Sequence, residues 1–198
     1  NFGFTQLNCG QTLMTISDGM GHGQKAYTES ETIIELLEQM LESGFREEVA
    51  LKLVNLMLMV NSDAGNTATV DMGVIDQYTG ICDFIKMGAA PTFIRHNGWV
   101  EMLKSTSLPM GVLESVDYER ITKKLSDGDM VIMVSDGVVE AVQGENKEAV
   151  LCEMIQQIDE VNPKEFAACL MHMVEQETAE DDMTILTGAV WSNMPGDF

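Results

Sequence analysis

From Gln24 to Val60 the apolar residues recur at helical spacing, and on either side of that stretch they recur at strand spacing. Ile33, Leu36, Leu37, Met40 and Leu41 follow i, i+3, i+4, i+7, i+8 and form one apolar face. Gly44 stands where a left-handed C-terminal cap is expected. A second helix, about 46–60, places Val49, Leu53, Leu56, Met57 and Val60 on one side. Two helices joined at a glycine predict an antiparallel pair.

Before the helices, residues 4–17 read as a mixed strand region ending in Leu13-Met14-Thr15-Ile16. After them the alternation of Val70, Met72 and Val74 with Thr69, Asp71 and Gly73 marks a half-buried strand over 69–76. Strands are expected at 81–87, 92–95 and 99–103, with Asn97-Gly98 as a hairpin turn between the last two, and at 117–125. Met130–Val134 is apolar on both faces and belongs in the middle of a covered sheet. Two more helices follow, about 146–159 and 163–177, the second capped by Asn162 and opened by Pro163, and then a last strand over 183–190. Strands, helix pair, meandering strands, helix pair and final strand predict an α+β fold with mainly antiparallel sheets flanked by helix pairs. The strict βαβ alternation of a parallel doubly wound sheet is missing.

The 198 residues show no internal repeat and no low-complexity linker, so a single domain over 1–198 is expected. Thirty-two acidic residues against eleven basic ones give a net charge of −21. That balance excludes nucleic acid and anionic membrane as partners, because phosphate surfaces demand clustered Lys and Arg. Most of the acids serve as a solvated surface. No apolar run approaches the roughly 20 residues needed to cross a bilayer; Leu51–Val60 is the most apolar stretch and Asn55 interrupts it. Cys9, Cys82, Cys152 and Cys169 have neither C-x-x-C nor zinc spacing, and each reads as a small buried hydrophobe. Sixteen methionines and no disulfide pattern point to a reducing, cytoplasmic setting.

The chemistry gathers at three acidic motifs. Asp18 follows the Leu13–Ile16 run within Ser17-Asp18-Gly19, and Asp136 follows Met130–Val134 within Ser135-Asp136-Gly137. Asp181 and Asp182 precede the apolar Met183–Leu186. A lone Asp-Gly after a strand is most often a turn. Three such sites more than forty residues apart suggest carboxylates collected at one end of a sheet. Two bare carboxylates 4 Å apart repel by roughly 4 kcal/mol at an effective dielectric of 20, so such a cluster calls for cations. Hard oxygen ligands favour magnesium or manganese.

Asp18-Gly19-Met20-Gly21-His22-Gly23, Ser135-Asp136-Gly137 and Asp181-Asp182-Met183-Thr184, taken in order, resemble the signature motifs of bacterial PPM/PP2C-type phosphatases. The stage II sporulation protein E branch is the most similar, and Leu108-Pro109-Met110-Gly111 and the helix pair fit as well. The resemblance covers nearly the whole chain. It implies an α-β-β-α sandwich and two divalent cations, Mn2+ or Mg2+. Asp18 would bridge both, the Gly19 carbonyl would ligate one, and Asp136 and Asp181 would ligate the other. Asp182 would orient the loop, although the sequence leaves open which of the adjacent pair binds. A cation-activated water would attack phosphorus in line with the Ser/Thr oxygen, with Asp18 and Asp136 as the catalytic carboxylates. The chain has no Cys-x5-Arg loop, which argues against thiolate chemistry. His22 is read as a loop residue, since the family's histidine position is Met20 here; His96 and His172 are read as hairpin and helix residues.

The resemblance further implies a phosphorylated anti-anti-sigma factor, a small STAS-type protein, as substrate, in control of a sporulation sigma factor. A homodimer is compatible with it. So is a full-length protein anchored in a membrane through a region other than this one. The family's first strand carries a Gly-Asp pair that would end just before Asn1, so a shortened first strand and one weak metal site are expected. A catalytically impaired binding module of the same fold is the alternative. A nucleotide site on Gly19-x-Gly21-x-Gly23 ranks below both, because Asp18 would repel phosphate and the βαβ setting is missing. The helix pair packs on a sheet through Ile33, Leu37, Leu41 and Leu53. Because it starts directly after the Asp18 loop, it is also expected to act as a regulatory lever on that loop.

Overall fold

The computed structural model describes residues 1–19, 24–60, 67–116, 118–175 and 182–191. The glycine-rich loop residues 20–23, with His22, and Asp181 lie outside the described residues. The chain divides into two compact units, Asn1–Ala90 with Lys104–Lys123, and Pro91–Leu103 with Lys124–Phe198.

In the first unit the early strand region is two strands, β1 (Phe2–Leu7) and β2 (Gln11–Gly19), joined by a short 3-10 turn at Asn8–Gly10. They pair antiparallel from Phe2↔Ile16 to Leu7↔Gln11. β3 (Ala68–Asp76) pairs antiparallel with β2, and β4 (Ile81–Met87) antiparallel with β3. β7 (Glu119–Lys124) completes a five-stranded sheet ordered β1-β2-β3-β4-β7. Arg120 of β7 reaches Asp83 of β4 at 3.1 Å and Glu47 at 3.4 Å, which fastens that edge strand.

Helices α1 (Gln24–Glu42) and α2 (Glu47–Val60) belong to the same unit. Gly44 ends α1 as expected. Its φ of 83° lets its amide reach the Leu41 carbonyl while the Phe45 amide reaches that of Met40, both at 3.0 Å. Ile33, Leu37 and Leu41 of α1 pack with Leu13, Val70, Met72, Val74, Ile85 and Met87 of the sheet.

α2 turns a different face inward from the one its sequence suggested. Ala50, Leu51, Val54, Asn55 and Leu58 are buried, whereas Leu53 is 42% exposed, Leu56 50% and Val60 83%. The reason is Asn55. Its Oδ1 accepts from the Gly111 amide at 2.8 Å and its Nδ2 donates to the Leu113 carbonyl at 2.9 Å. A buried amide with both ends satisfied sets the rotation of a helix that is apolar nearly all round. The segment it grips continues to Met110, which exchanges two backbone hydrogen bonds with Ala68 at the start of β3.

In the second unit β5 (Thr92–His96), β6 (Trp99–Leu103), β8 (Met130–Val134) and β9 (Ile185–Ala189) form an antiparallel sheet ordered β6-β5-β8-β9. β8 is interior and all five of its residues are buried, as its unbroken apolar run required. A two-residue Asn97-Gly98 turn joins β5 to β6. Three helices belong to this unit: α3 (Asp136–Ala141), α4 (Lys147–Gln157) and α5 (Pro163–Glu175). Asn162 caps α5, accepting from the amides of Lys164 at 3.0 Å and Glu165 at 3.3 Å. The six-residue α3 was not expected from the sequence.

The cysteines divide. Cys82 is buried, Cys152 partly buried and Cys169 exposed, so the uniform buried reading fails at Cys169. Among the described residues no helix is long and apolar enough to cross a membrane.

Candidate active site

In the first unit Asp18 and Gly19 are not in a loop: β2 runs on through both, paired with Thr69 and Ala68 of β3. Adjacent strand residues face opposite sides. Ser17 is fully buried and its hydroxyl donates to the Thr69 carbonyl at 2.9 Å. Asp18, next along, is only partly buried. Its amide donates to Thr69 Oγ1 at 3.2 Å, and the same hydroxyl lies 3.4 Å from the Asp18 carbonyl. The backbone that carries this carboxylate is thus held on both sides. Gly19 backs directly onto α1: a Cβ there would stand 2.6 Å from the Ala26 carbonyl oxygen and 3.1 Å from its Cα. Nothing larger than glycine fits.

Two residues along β3 from Thr69, Asp71 faces Lys86 of β4, with Nζ 2.6 Å from Oδ2 and both side chains buried. Burial pushes the Lys86 ammonium below its usual range, and the charge and hydrogen bond of Asp71 recover part of that fall. Buried Cys82 on β4 has its thiol pushed well up, first by burial and then by the charges of Asp83 and Asp71.

In the second unit Asp136 opens α3 directly after β8 and is exposed, its Oδ1 accepting from the Gly137 amide at 3.0 Å. Ser135 before it is buried. Its amide donates to the Thr184 carbonyl at 3.0 Å, and its hydroxyl accepts from the Thr184 amide at 2.9 Å and donates to the Asp182 carbonyl at 3.3 Å. The Ser-Asp-Gly and Asp-Asp-Met-Thr motifs, 45 residues apart from Asp136 to Asp181 in the chain, are therefore side by side at Ser135 and Asp182–Thr184. Asp182 itself is exposed.

Among the described residues no three His, Cys, Asp or Glu side chains form a metal-holding group. Each unit by itself offers hard oxygen donors, the Asp18 carboxylate and Gly19 carbonyl in the first and the Asp136 carboxylate in the second, with no thiol or imidazole among the described residues of the motifs. Oxygen donors of this kind fit Mg2+ or Mn2+ and are unsuited to softer metals. The other two histidines lie on β5 and α5. His96 stacks on Trp99 with ring centres 4.2 Å apart and meets Asp129 Oδ1 at 2.9 Å, a hairpin brace, and His172 is exposed on α5. Sequence reasoning named the acids but not Ser17, Thr69, Ser135 and Thr184, whose hydrogen bonds hold the backbone beside Asp18, Asp136 and Asp182. The available signal was the serine repeated before Asp-Gly.

The arrangement is that of a PP2C-type phosphatase domain. It superposes on a solved structure of the PP2C phosphatase domain, with a fragment of the regulatory domain, of the cell fate determinant SpoIIE from Bacillus subtilis. The TM-score is 0.91 at 33% identity, over 98% of this chain and 59% of that one. The chain belongs to the stage II sporulation protein E (SpoIIE) family, which it matches over residues 8–190. It is 33% identical to the stage II sporulation protein E of Bacillus subtilis, across 98% of this chain and 24% of that protein. It is 25% identical to the phosphoserine phosphatase RsbU of the same organism, across 64% of this chain and 38% of that one. The chain spans between about a quarter and a third of the length of the curated relatives it matches from end to end.

Proposed function

We propose that this chain removes phosphate from phosphoserine or phosphothreonine on a partner protein, using cations held by Asp18, the Gly19 carbonyl, Asp136 and Asp181. One observation carries the reading. In both Ser-Asp-Gly motifs the serine is buried and tied to a neighbouring segment while the aspartate is less buried, partly at Asp18 and exposed at Asp136. A simple turn has no need of that division. Two divalent cations, Mn2+ or Mg2+, when bound would activate a water for attack on phosphorus and offset charge on the phosphoryl oxygens. The chain's own part is to present Asp18 and Asp136 as ligands on backbone tied to a neighbouring segment. Membership of the SpoIIE family supports a phosphorylated STAS-type anti-anti-sigma factor as the substrate, and sporulation sigma-factor control as the setting.

Helix α1 supports a regulatory role through Ile33, Leu37 and Leu41, since its first turn leaves no space between Ala26 and Gly19. Any shift of α1 along its packed face must move Gly19. Leu53, on the outer side of α2, would act in such a lever as a handle for a partner and not as packing. Leu37→Ala should then reduce activity more than it reduces the stability of the metal-free chain, and equal losses would remove the lever.

The test of the function is manganese-dependent phosphate release from a phosphoserine protein and from p-nitrophenyl phosphate, beside Asp18→Asn and Asp136→Asn. Activity that both substitutions abolish is the expected result. Activity that survives either one overturns the ligand set.

A further inference from the structure

We propose that Ser135 is a positioning residue for the cation ligands, with its hydroxyl fixing the Asp136 segment to the Asp182–Thr184 segment; this rests on the ligand reading above. Ser135 is the N-cap of α3, with extended backbone at φ −77° and ψ 165°, and serine is among the residues that best cap a helix. Its side chain nevertheless makes no bond to its own helix. A serine hydroxyl has one proton to give and lone pairs to receive. Here the proton goes to the Asp182 carbonyl at 3.3 Å and a lone pair receives the Thr184 amide at 2.9 Å. With the Ser135 amide on the Thr184 carbonyl at 3.0 Å, three hydrogen bonds join the two acidic motifs at one buried residue.

The consequence is geometric. Asp136 follows Ser135 directly, and Asp182 follows Asp181 directly. Fixing Ser135 against the Asp182 carbonyl limits how far Asp136 and the Asp182–Thr184 segment can drift apart. Groups that orient metal ligands in this way typically alter affinity about 10–100-fold when removed. The first Ser-Asp-Gly uses the same device, since the Ser17 hydroxyl also leaves its own segment for the Thr69 carbonyl.

The experiment is calorimetric titration of Mn2+ into the metal-free chain, with urea unfolding of the same metal-free samples. The unaltered chain is compared with Ser135→Ala, Ser135→Thr, Asp136→Asn and Thr187→Ala. Thr187 lies on β9 and gives a similar hydroxyl-to-carbonyl bond, to Pro163 at 2.8 Å, away from the motifs. Ser135→Ala should weaken Mn2+ binding about tenfold or more. Ser135→Thr, which keeps the hydroxyl, should recover most of that loss, and Thr187→Ala should leave affinity within twofold. If Ser135→Ala also leaves it within twofold while Asp136→Asn abolishes binding, the positioning role is wrong and the ligand reading stands. The positioning role is equally wrong if Thr187→Ala weakens binding as much as Ser135→Ala. If the unaltered chain takes up no Mn2+, or Asp136→Asn binds like the unaltered chain, the ligand reading fails and the positioning role with it. Should Ser135→Thr not fold, the contrast between Ser135→Ala and Thr187→Ala decides alone.

Discussion

Replacing Lys86 by methionine should destabilise the first unit, and replacing its partner Asp71 by leucine should destabilise it by an amount that shrinks as pH rises. The two side chains are 0% and 2% exposed and meet at 2.6 Å across β3 and β4. At that distance the attraction is about 6 kcal/mol at an effective dielectric of 20. It is offset by a desolvation cost of several kcal/mol for each ion, so the intact pair contributes little net. Removing one partner exposes the other's desolvation cost. Without Lys86, the Asp71 carboxylate keeps that cost and loses the attraction that offset it, a loss of about 4 kcal/mol. Without Asp71, Lys86 must shed its proton, at about 4.6 kcal/mol at pH 7 and about 2 kcal/mol at pH 9. At about 2–4 °C per kcal/mol, each single change lowers Tm at pH 7 by roughly 8–18 °C. The double replacement leaves no buried charge and should fall well short of the sum of the singles. Urea unfolding of the four proteins at pH 5, 7 and 9 gives the cycle. A flat cost of Asp71→Leu across that range, or a double change that costs the full sum, would refute the view of this pair as a mutually dependent buried unit.

Three further outcomes follow from the packing. Gly19→Ala should destabilise the chain by about 1–3 kcal/mol in urea unfolding, because the new methyl must displace the Ala26 backbone; a neutral result would mean that α1 can withdraw freely. Leu51→Ala on the buried side of α2 should cost about 2–5 kcal/mol, and Leu53→Ala on the outer side less than about 0.5 kcal/mol; the reverse order would show that the helix faces the other way. In native protein a thiol reagent at pH 8 should modify Cys169 first and leave Cys82 untouched until unfolding, since burial both shields the Cys82 thiol and keeps it protonated. Mass mapping of the labelled sites checks this.

The element order could be read from periodicity because each strand and helix carries its own apolar pattern. What could not be read was decided by residues far away in the chain. α2 is the clearest case. Leu51, Val54 and Leu58 are no more hydrophobic than Leu53, Leu56 and Val60, so the pattern alone does not choose a face. Asn55 chooses it, through partners 56 and 58 residues away. α3 escaped notice because Ser-Asp-Gly-Val-Val combines a turn signal with β-branched residues, both poor helix markers. β2 was ended one motif early for the same reason: Asp-Gly suggests a turn, but ladder pairing with Thr69 and Ala68 carries the strand through it. The carboxylates of the candidate site were visible as residue types. The hydroxyls that hold them were not, because their partners lie 47 to 52 residues off.

The two Ser-Asp-Gly segments show how one tripeptide serves two different backbones. After Asp18 the chain continues as strand, and after Asp136 it turns into a helix. Each is preceded by a buried run, β2 up to Ser17 and β8 up to Ser135, so in each the serine ends the covered part. The aspartate next to it is less covered, Asp18 partly buried and Asp136 exposed. The glycines answer separate demands, Gly19 the close approach of Ala26 and Gly137 a buried place in the first turn of α3. What separates such a motif from an ordinary Asp-Gly turn is therefore the residue before it. A hydroxyl that leaves its own segment for a neighbouring one makes the aspartate's backbone a fixed mount, and a turn serine bonded within its own segment would not.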